Sequence, residues 1–301
     1  MYDKNEMKKI PAFSGDYIGI SEDDLKNLFN LMLSEDGANV DVTSSFTPDK
    51  FVKAEVIVKN EGIIAGIDEL THLFDMVGVK SSPKIQDGDT ASPGDIVFSL
   101  EGGSRKILSV ERTALNILSL MSGIATFTSK FVDALAQVDS KAKVAATRKT
   151  TPLFRYFEKK AVIVGGGVPH RMNLSDMVLI KDNHLKVFGG VGDALDAVGE
   201  ADLKVPVEIE VTNLDDAVKA AEMGVDIVML DNMSPEKIMR VTEKLVEKGL
   251  RGDIVIEVSG NVNLENVQEY GKLDVDVISI GSLTHSAPSM DISLEIIEVS
   301  D

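Results

Sequence analysis

From residue 140 onward the chain repeats one pattern, a short apolar stretch followed by an amphipathic run. The stretches are "KVAAT", "MVLIK", "VEIEV", "DIVML", "IVIEV" and "DVISIG". Between the later ones lie "NLDDAVKAAEMG", "SPEKIMRVTEKLVEKG" and "NLENVQEYG", with Asn213, Ser234 and Asn263 where N-caps belong. Strands buried on both faces and separated by helices dictate a parallel α/β sheet. Six strands are clear and a seventh is arguable. The segment falls well short of the ~250 residues of a closed eight-stranded barrel. A reduced α/β barrel and an open doubly wound sheet both satisfy the pattern.

The first part of the chain is of mixed type. "SEDDLKNLFNLMLSEDG" predicts a helix capped by Ser21 and ended near Gly37. "KAEVIVKNEGIIAG" alternates as a strand does, and "KIQDGDTASPGDIVFSLEGG" has the turn signals of a β-meander. The latter is superficially similar to a biotinyl hairpin, but no lysine stands at its tip. Residues 105 to 137 have helical spacing, with an interruption expected at Ser122-Gly123.

Composition narrows the function. The chain has 301 residues, no cysteine and a net charge of −18. Disulfides, thiolate metal sites and a cysteine nucleophile are excluded. The acidity argues against nucleic-acid and anionic-membrane partners. No apolar run approaches the ~18 residues of a membrane span, and the N-terminus lacks a signal-peptide core, so a cytoplasmic location is expected. Against this background, Thr147 to Lys186 gathers eight Lys/Arg against three acids, a local charge of +5. An anionic ligand would have to be held there.

In parallel α/β folds the loops at the carboxyl ends of the strands converge on the site. Each apolar stretch here leads to polar groups. Early strands bring cations: Arg148, Lys149 and Lys181, with His170 and Arg171 nearby. Middle strands bring Glu210 and Asp231, suited to Mg²⁺ or ribose hydroxyls. Late strands bring Ser259-Gly260 and Gly281-Ser282, where backbone N–H groups bind phosphate. The order implies a ligand with phosphate at one end and a polyanionic acceptor at the other. Some charges have structural readings. Glu208 shares a strand face with Glu210 and could pair with a buried cation. His184 could cap its loop, and His72 belongs to a helix. Lys159, Lys160 and Lys186 read as solvated charges. The run Gly165-Gly166-Gly167 is either a flexible connection or an anion nest.

Taken together, "ERTALNILSLMSGIATFTSKFV", "TRKTTP", "GGGVPHRMNLSDMVLIKDNHL", "VEIEVTNLDDA", "DIVMLDNMSP", "IEVSGNVNLENV" and "ISIGSLTHSAPSMDISL" resemble the quinolinate phosphoribosyltransferase family across nearly the whole chain. The resemblance implies an N-terminal α/β sandwich (residues 1–115), an incomplete, about seven-stranded α/β barrel (116–286) and a C-terminal tail (287–301) returning to the first domain. It implies phosphoribosyl transfer from phosphoribosyl pyrophosphate to quinolinate, with decarboxylation, in NAD biosynthesis. Mg²⁺ and a homodimer or larger assembly are also implied.

Carried over by motif, Arg148, His170, Arg171 and Lys181 would bind the quinolinate carboxylates, with Arg112 supplied by a partner subunit. Lys149 would serve the pyrophosphate. Glu210 and Asp231 would hold ribose hydroxyls and metal. Ser259, Gly260 and Gly281 would bind the 5′-phosphate, with His285 near. Catalysis would fall to Lys149, Lys181, Glu210 and Asp231. The chain departs from the family at Ala146, Leu153 (usually Gly) and Pro169, which bears on loop conformation and acceptor choice. Two other readings are a related molybdenum-associated homologue with another acceptor and a Schiff-base lyase using Lys149 or Lys181.

Overall fold

The computed structural model describes residues 10–14 and 18–300. The chain divides into two compact units. One comprises residues 18–128, 150–165 and 286–301; the other comprises 1–17, 129–149 and 166–285.

The first unit opens with α1 (Glu22–Glu35), capped as expected by Ser21, whose hydroxyl accepts from Asp24 N at 3.1 Å. A short α2 (Val42–Phe46) leads into β1 (Phe51–Val58) and β2 (Gly62–Ile63). Then come α3 (Ile67–Val77), β3 (Lys80–Pro83), β4 (Thr90–Ala91), β5 (Ile96–Gly103) and the long helix α4 (Ser104–Ala136). β1 buries every second residue, and its two neighbours are β5 and the C-terminal strand Ile292–Ser300, both antiparallel. The tail thus completes a four-stranded sheet with β3 at the far edge.

The helix α4 runs unbroken through Ser122-Gly123, where an interruption was expected. The two residues serve packing instead. Ser122 Oγ accepts from Ala65 N at 3.1 Å, and a Cβ on Gly123 would lie 2.1 Å from Pro288 O. By length and composition α4 could cross a membrane, yet its most apolar window is 56% buried inside the fold, as in a core helix.

Next comes α5 (Arg155–Val164), also in this unit. Of the three lysines read as solvated, the two on this helix are not. Lys159 is fully buried, and Lys160 Nζ donates to both oxygens of buried Glu69 at 2.8 and 2.9 Å, with Asp87 at 3.3 Å. Tyr156 Oη also donates to Glu69, at 2.8 Å. Burial pushes the Tyr156 phenol up. The carboxylates overcome the opposing effect of burial and raise Lys160. Gly165 closes α5 where a Cβ would meet Ala125 O at 2.4 Å, so this glycine is a packing residue.

The second unit is the parallel sheet. Its strands are β6 (Lys143–Ala145), β7 (Val178–Ile180), β8 (Val207–Val211), β9 (Ile227–Asp231), β10 (Val255–Ser259) and β11 (Val277–Ser279). They lie in the order β6-β11-β10-β9-β8-β7. Val168 adds a one-residue parallel bridge on the outer side of β6, the remnant of a seventh strand. Helices α6 (Asp182–Phe188), α7 (Val191–Glu200), α8 (Leu214–Glu222), α9 (Pro235–Glu247), α10 (Val267–Gly271) and α11 (Ser282–His285) fill the connections. Asn213 caps α8 through Asp216 N at 2.9 Å, whereas Ser234 makes no side-chain cap. Buried Ile10, Ala12 and Phe13 join the core with Ala145 and with Ile227, Val255 and Val277, the first residues of β9, β10 and β11. That seals one end of the sheet and leaves the carboxyl end for the site.

Candidate active site

A cavity of about 870 Å³ opens at the carboxyl ends of the parallel strands. Residues singled out in the sequence line it: Arg148, Lys149, His170, Arg171, Lys181, Glu210, Asp231, Ser259, Gly260, Gly281, Ser282 and His285. Arg112 is not among them; it is exposed on α4, in the other unit. His184 caps its loop as read, accepting from Lys181 N through Nδ1 at 3.0 Å, and His72 Nδ1 contacts Asp68 O at 2.7 Å within α3. Lys186 is exposed and pairs with Asp182 at 3.0 Å.

The cations stand on one side. β6 delivers Arg148 and Lys149, and Lys149 O accepts from Thr284 Oγ1 at 2.7 Å, which ties this loop to the one after β11. A Cβ on Gly281 would lie 3.1 Å from both Lys149 Cδ and His285 Nε2, so the glycine admits both side chains. Arg171 is buried and donates from Nη1 to Met177 O at 3.2 Å. Burial and the neighbouring Arg148 depress its pKa, so two guanidiniums share a confined space. Lys181 crosses to Glu210 at 2.5 Å, and Asp231 is half-buried one strand further on.

Beneath the cations lies a buried cluster that the sequence revealed only in part. His170 Nε2 stands 3.5 Å from Glu208 and 3.3 Å from Glu257, and both carboxylates are completely buried. Ser279 Oγ donates to Glu257 in a very short contact. The Phe13 ring meets the imidazole edge-on, with centroids 5.5 Å apart. Glu208 is therefore the partner of the buried His170, in keeping with its structural reading. His170, expected to touch quinolinate, is 3% exposed and spends its Nε2 on the carboxylates.

Burial alone would depress His170. Glu257 and Glu208 override it and raise the imidazole to about 9. Burial, then Glu257, pushes the Glu208 carboxyl up. Arg171 N donates to His170 Nδ1 at 2.7 Å, which a doubly protonated ring would forfeit. The imidazole and the Glu208 carboxyl thus share their protons as one unit. These three residues also have the donors of a metal site. The imidazole already occupies the position of the positive centre, so the cluster is self-compensating.

Glu257 was missed because "IVIEV" reads as an ordinary buried strand; its match with "VEIEV" was the available signal. Asn232, which follows the strand "DIVML" in the sequence, is on the cavity wall, and so is Asn261, whose place after "IVIEVSG" was the available signal.

Known proteins resemble this chain along most of its length. Residues 41–122 match the quinolinate phosphoribosyl transferase N-terminal domain and residues 124–295 its C-terminal domain. A probable nicotinate-nucleotide pyrophosphorylase [carboxylating] of Archaeoglobus fulgidus is 48% identical over 258 residues, covering 86% of this chain and 98% of the relative. The human nicotinate-nucleotide pyrophosphorylase [carboxylating] is 37% identical over 245 residues, covering 81% and 82%. Among solved structures, NadC from Streptococcus pyogenes superposes with a TM-score of 0.85 at 38% identity, over 94% of this chain and 99% of that one.

Proposed function

Because this chain belongs to the quinolinate phosphoribosyltransferase family, we propose that it transfers the phosphoribosyl group of phosphoribosyl pyrophosphate to quinolinate. The products are nicotinate mononucleotide, pyrophosphate and CO₂, and the reaction serves NAD biosynthesis. One observation carries the reading. A single cavity of about 870 Å³ is lined at once by clustered cations, by two carboxylates and by glycine turns. That volume lies toward the upper end for small-molecule sites and suits two ligands together.

Each part has a role. Arg148, Arg171 and Lys181 receive the carboxylates of quinolinate, since guanidinium matches carboxylate through two parallel hydrogen bonds. Bringing a dianion to a polyanionic donor is repulsive, and the clustered cations offset that repulsion while orienting the ring nitrogen toward the anomeric carbon. His170 acts from below: held by Glu208 and Glu257, it fixes the loop that carries Arg171. Lys149 stabilises the charge that collects on pyrophosphate as its bond to the sugar breaks. Glu210 and Asp231 lie near the cationic sugar and its hydroxyls. Backbone N–H groups at Ser259-Gly260 and Gly281, with His285, take the 5′-phosphate.

Two carboxylates from adjacent strands are hard oxygen donors of the kind that hold Mg²⁺ together with substrate phosphates, so Glu210 and Asp231 fit that ion. When bound, it would neutralise charge on the departing pyrophosphate. After transfer the ring nitrogen is cationic. The C2–carboxylate bond breaks, its electron pair stays on C2 beside that nitrogen, and C2 takes a proton from water. No nucleophilic residue is needed. The pairing of Lys181 with Glu210 gives no support to a Schiff-base role.

The reading includes a homodimer or larger assembly in which Arg112 reaches a partner's site, and a cytoplasmic location. Purified protein given quinolinate, phosphoribosyl pyrophosphate and Mg²⁺ should release CO₂ and form nicotinate mononucleotide. Folded protein that turns over nicotinate or another pyridine carboxylate, but not quinolinate, would overturn the substrate assignment.

A further inference from the structure

The strand ends carrying Asp231 and Ser259 are joined by a chain of amides. β9 and β10 run side by side with these two residues opposite each other, and Asn232 N donates to Ser259 O at 2.9 Å. Just beyond, Asn232 (φ 53°), Gly260 (φ 93°) and Asn261 (φ 54°) all have left-handed backbone. Among residues with a side chain, asparagine accepts that conformation with least difficulty. The two turns aim the asparagine side chains at each other. Asn261 Nδ2 donates to Asn232 Oδ1 at 2.9 Å, and Asn232 Nδ2 donates to Asp231 Oδ2 at 2.6 Å. Asn266 Nδ2 anchors the far end on Asn261 O at 3.0 Å.

The direction of the chain is fixed by chemistry. An ionised carboxylate only accepts, so the NH₂ of Asn232 must face Asp231 and its oxygen must face Asn261. Gly260 is part of the same device. A Cβ there would stand 2.4 Å from Asn232 Oδ1 and 2.8 Å from Asn232 N. The absent side chain at 260 is thus the space through which Asn232 reaches its partners.

We propose that Asn232 is a positioning residue for the phosphoribosyl donor. Backed by Asn261, it immobilises one oxygen of Asp231 and leaves the other oriented for Mg²⁺ or a ribose hydroxyl. It also holds that carboxylate in fixed register with the phosphate-binding turn at Ser259-Gly260. A carboxylate without this donor rotates freely about its last bond, and its metal and hydroxyl contacts lose their preorganisation. The proposal rests on the assignment of Asp231 made above.

The test separates the amide from the backbone. Asn232→Gly keeps left-handed φ accessible and removes only the side chain; Asn232→Asp keeps the shape and replaces the donor by a second carboxylate. Both variants, Asn261→Ala and Asp231→Ala are assayed while donor, Mg²⁺ and acceptor are varied separately. Asn232→Gly should raise the donor KM and the half-saturating Mg²⁺ concentration by about tenfold, the worth of a hydrogen bond to a charged group. Its acceptor KM and its Tm should stay near wild type. Asn232→Asp should do at least as much, and Asn261→Ala less, in the same direction. Wild-type donor and Mg²⁺ dependence in Asn232→Gly, with Asp231→Ala crippled, would overturn the proposal alone. Loss spread evenly over donor, acceptor and Tm would also overturn it, since that marks a structural residue. An unaffected Asp231→Ala would remove the site assignment together with the proposal.

Discussion

Leu153 has a φ of 65°, and its side chain is 71% exposed. The family resemblance places glycine at this position, and the backbone explains why: left-handed conformation costs an ordinary residue about 1–2 kcal/mol. Leu153→Gly should raise the Tm by a few degrees, because strain relief exceeds the entropy gained by the unfolded chain. A thermal melt of the two proteins checks it. At Arg148 the expectation concerns rate. Arg148→Lys keeps the charge but loses the paired hydrogen bonds, and kcat/KM for quinolinate should fall about tenfold or more with an unchanged Tm. A third expectation concerns pH. His170 has a folded pKa of about 9, above its ordinary 6.5. Its stabilising contribution is complete below about pH 6.5 and disappears as the pH rises through 9. The raised Glu208 carboxyl acts in the same sense, since it too favours the protonated cluster. The wild-type Tm should decline from pH 6.5 to 9, and His170→Gln should flatten that slope.

Among the elements, α4 and α5 show why sequence reading stops where it does. The strands after residue 140 were legible because a strand buried on both faces is mostly apolar, and β6 to β11 follow this apart from Glu208, Glu210 and Glu257 and the polar residues at their ends. The cations and glycines at their tips were legible because a parallel sheet sends every loop to one end. The continuity of α4 was not. Gly123 looks like a breaker until Pro288 is known to cross it. Lys159 and Lys160 looked solvated because no local rule tells a charge where its partner is. Glu69, the partner of Lys160, lies on another helix altogether. The same limit hid Glu257, whose role depends on a histidine from a distant loop. Two measurements follow. Gly123→Ala should cost about 1–3 kcal/mol by overpacking against Pro288, read by urea denaturation. Lys160→Ala strands the buried Glu69 carboxylate and should cost about 3 kcal/mol or more in the same assay.

For the molecule as a whole, a net charge of −18 coexists with a local excess of five positive charges between Thr147 and Lys186. The fold brings four of the eight Lys/Arg of that stretch, together with His170, to one cavity. An assembly in which Arg112 crosses to a partner's site has a distinctive signature. Arg112→Ala and Arg148→Ala should each be nearly inactive alone, yet regain activity when unfolded and refolded together, because some mixed dimers contain one intact site. Failure to complement would place Arg112 outside the site.

The pairing of β1 with Ile292–Ser300 sets a timetable for synthesis. β1 is made long before its partner strand, which follows all six strands of the parallel sheet in chain order. Until that strand emerges, β1 lacks its outer neighbour and presents bare amide and carbonyl groups to the cell. A nascent chain stalled before Ile292 is therefore the species most exposed to strand-to-strand clumping, and the one for which a chaperone would matter.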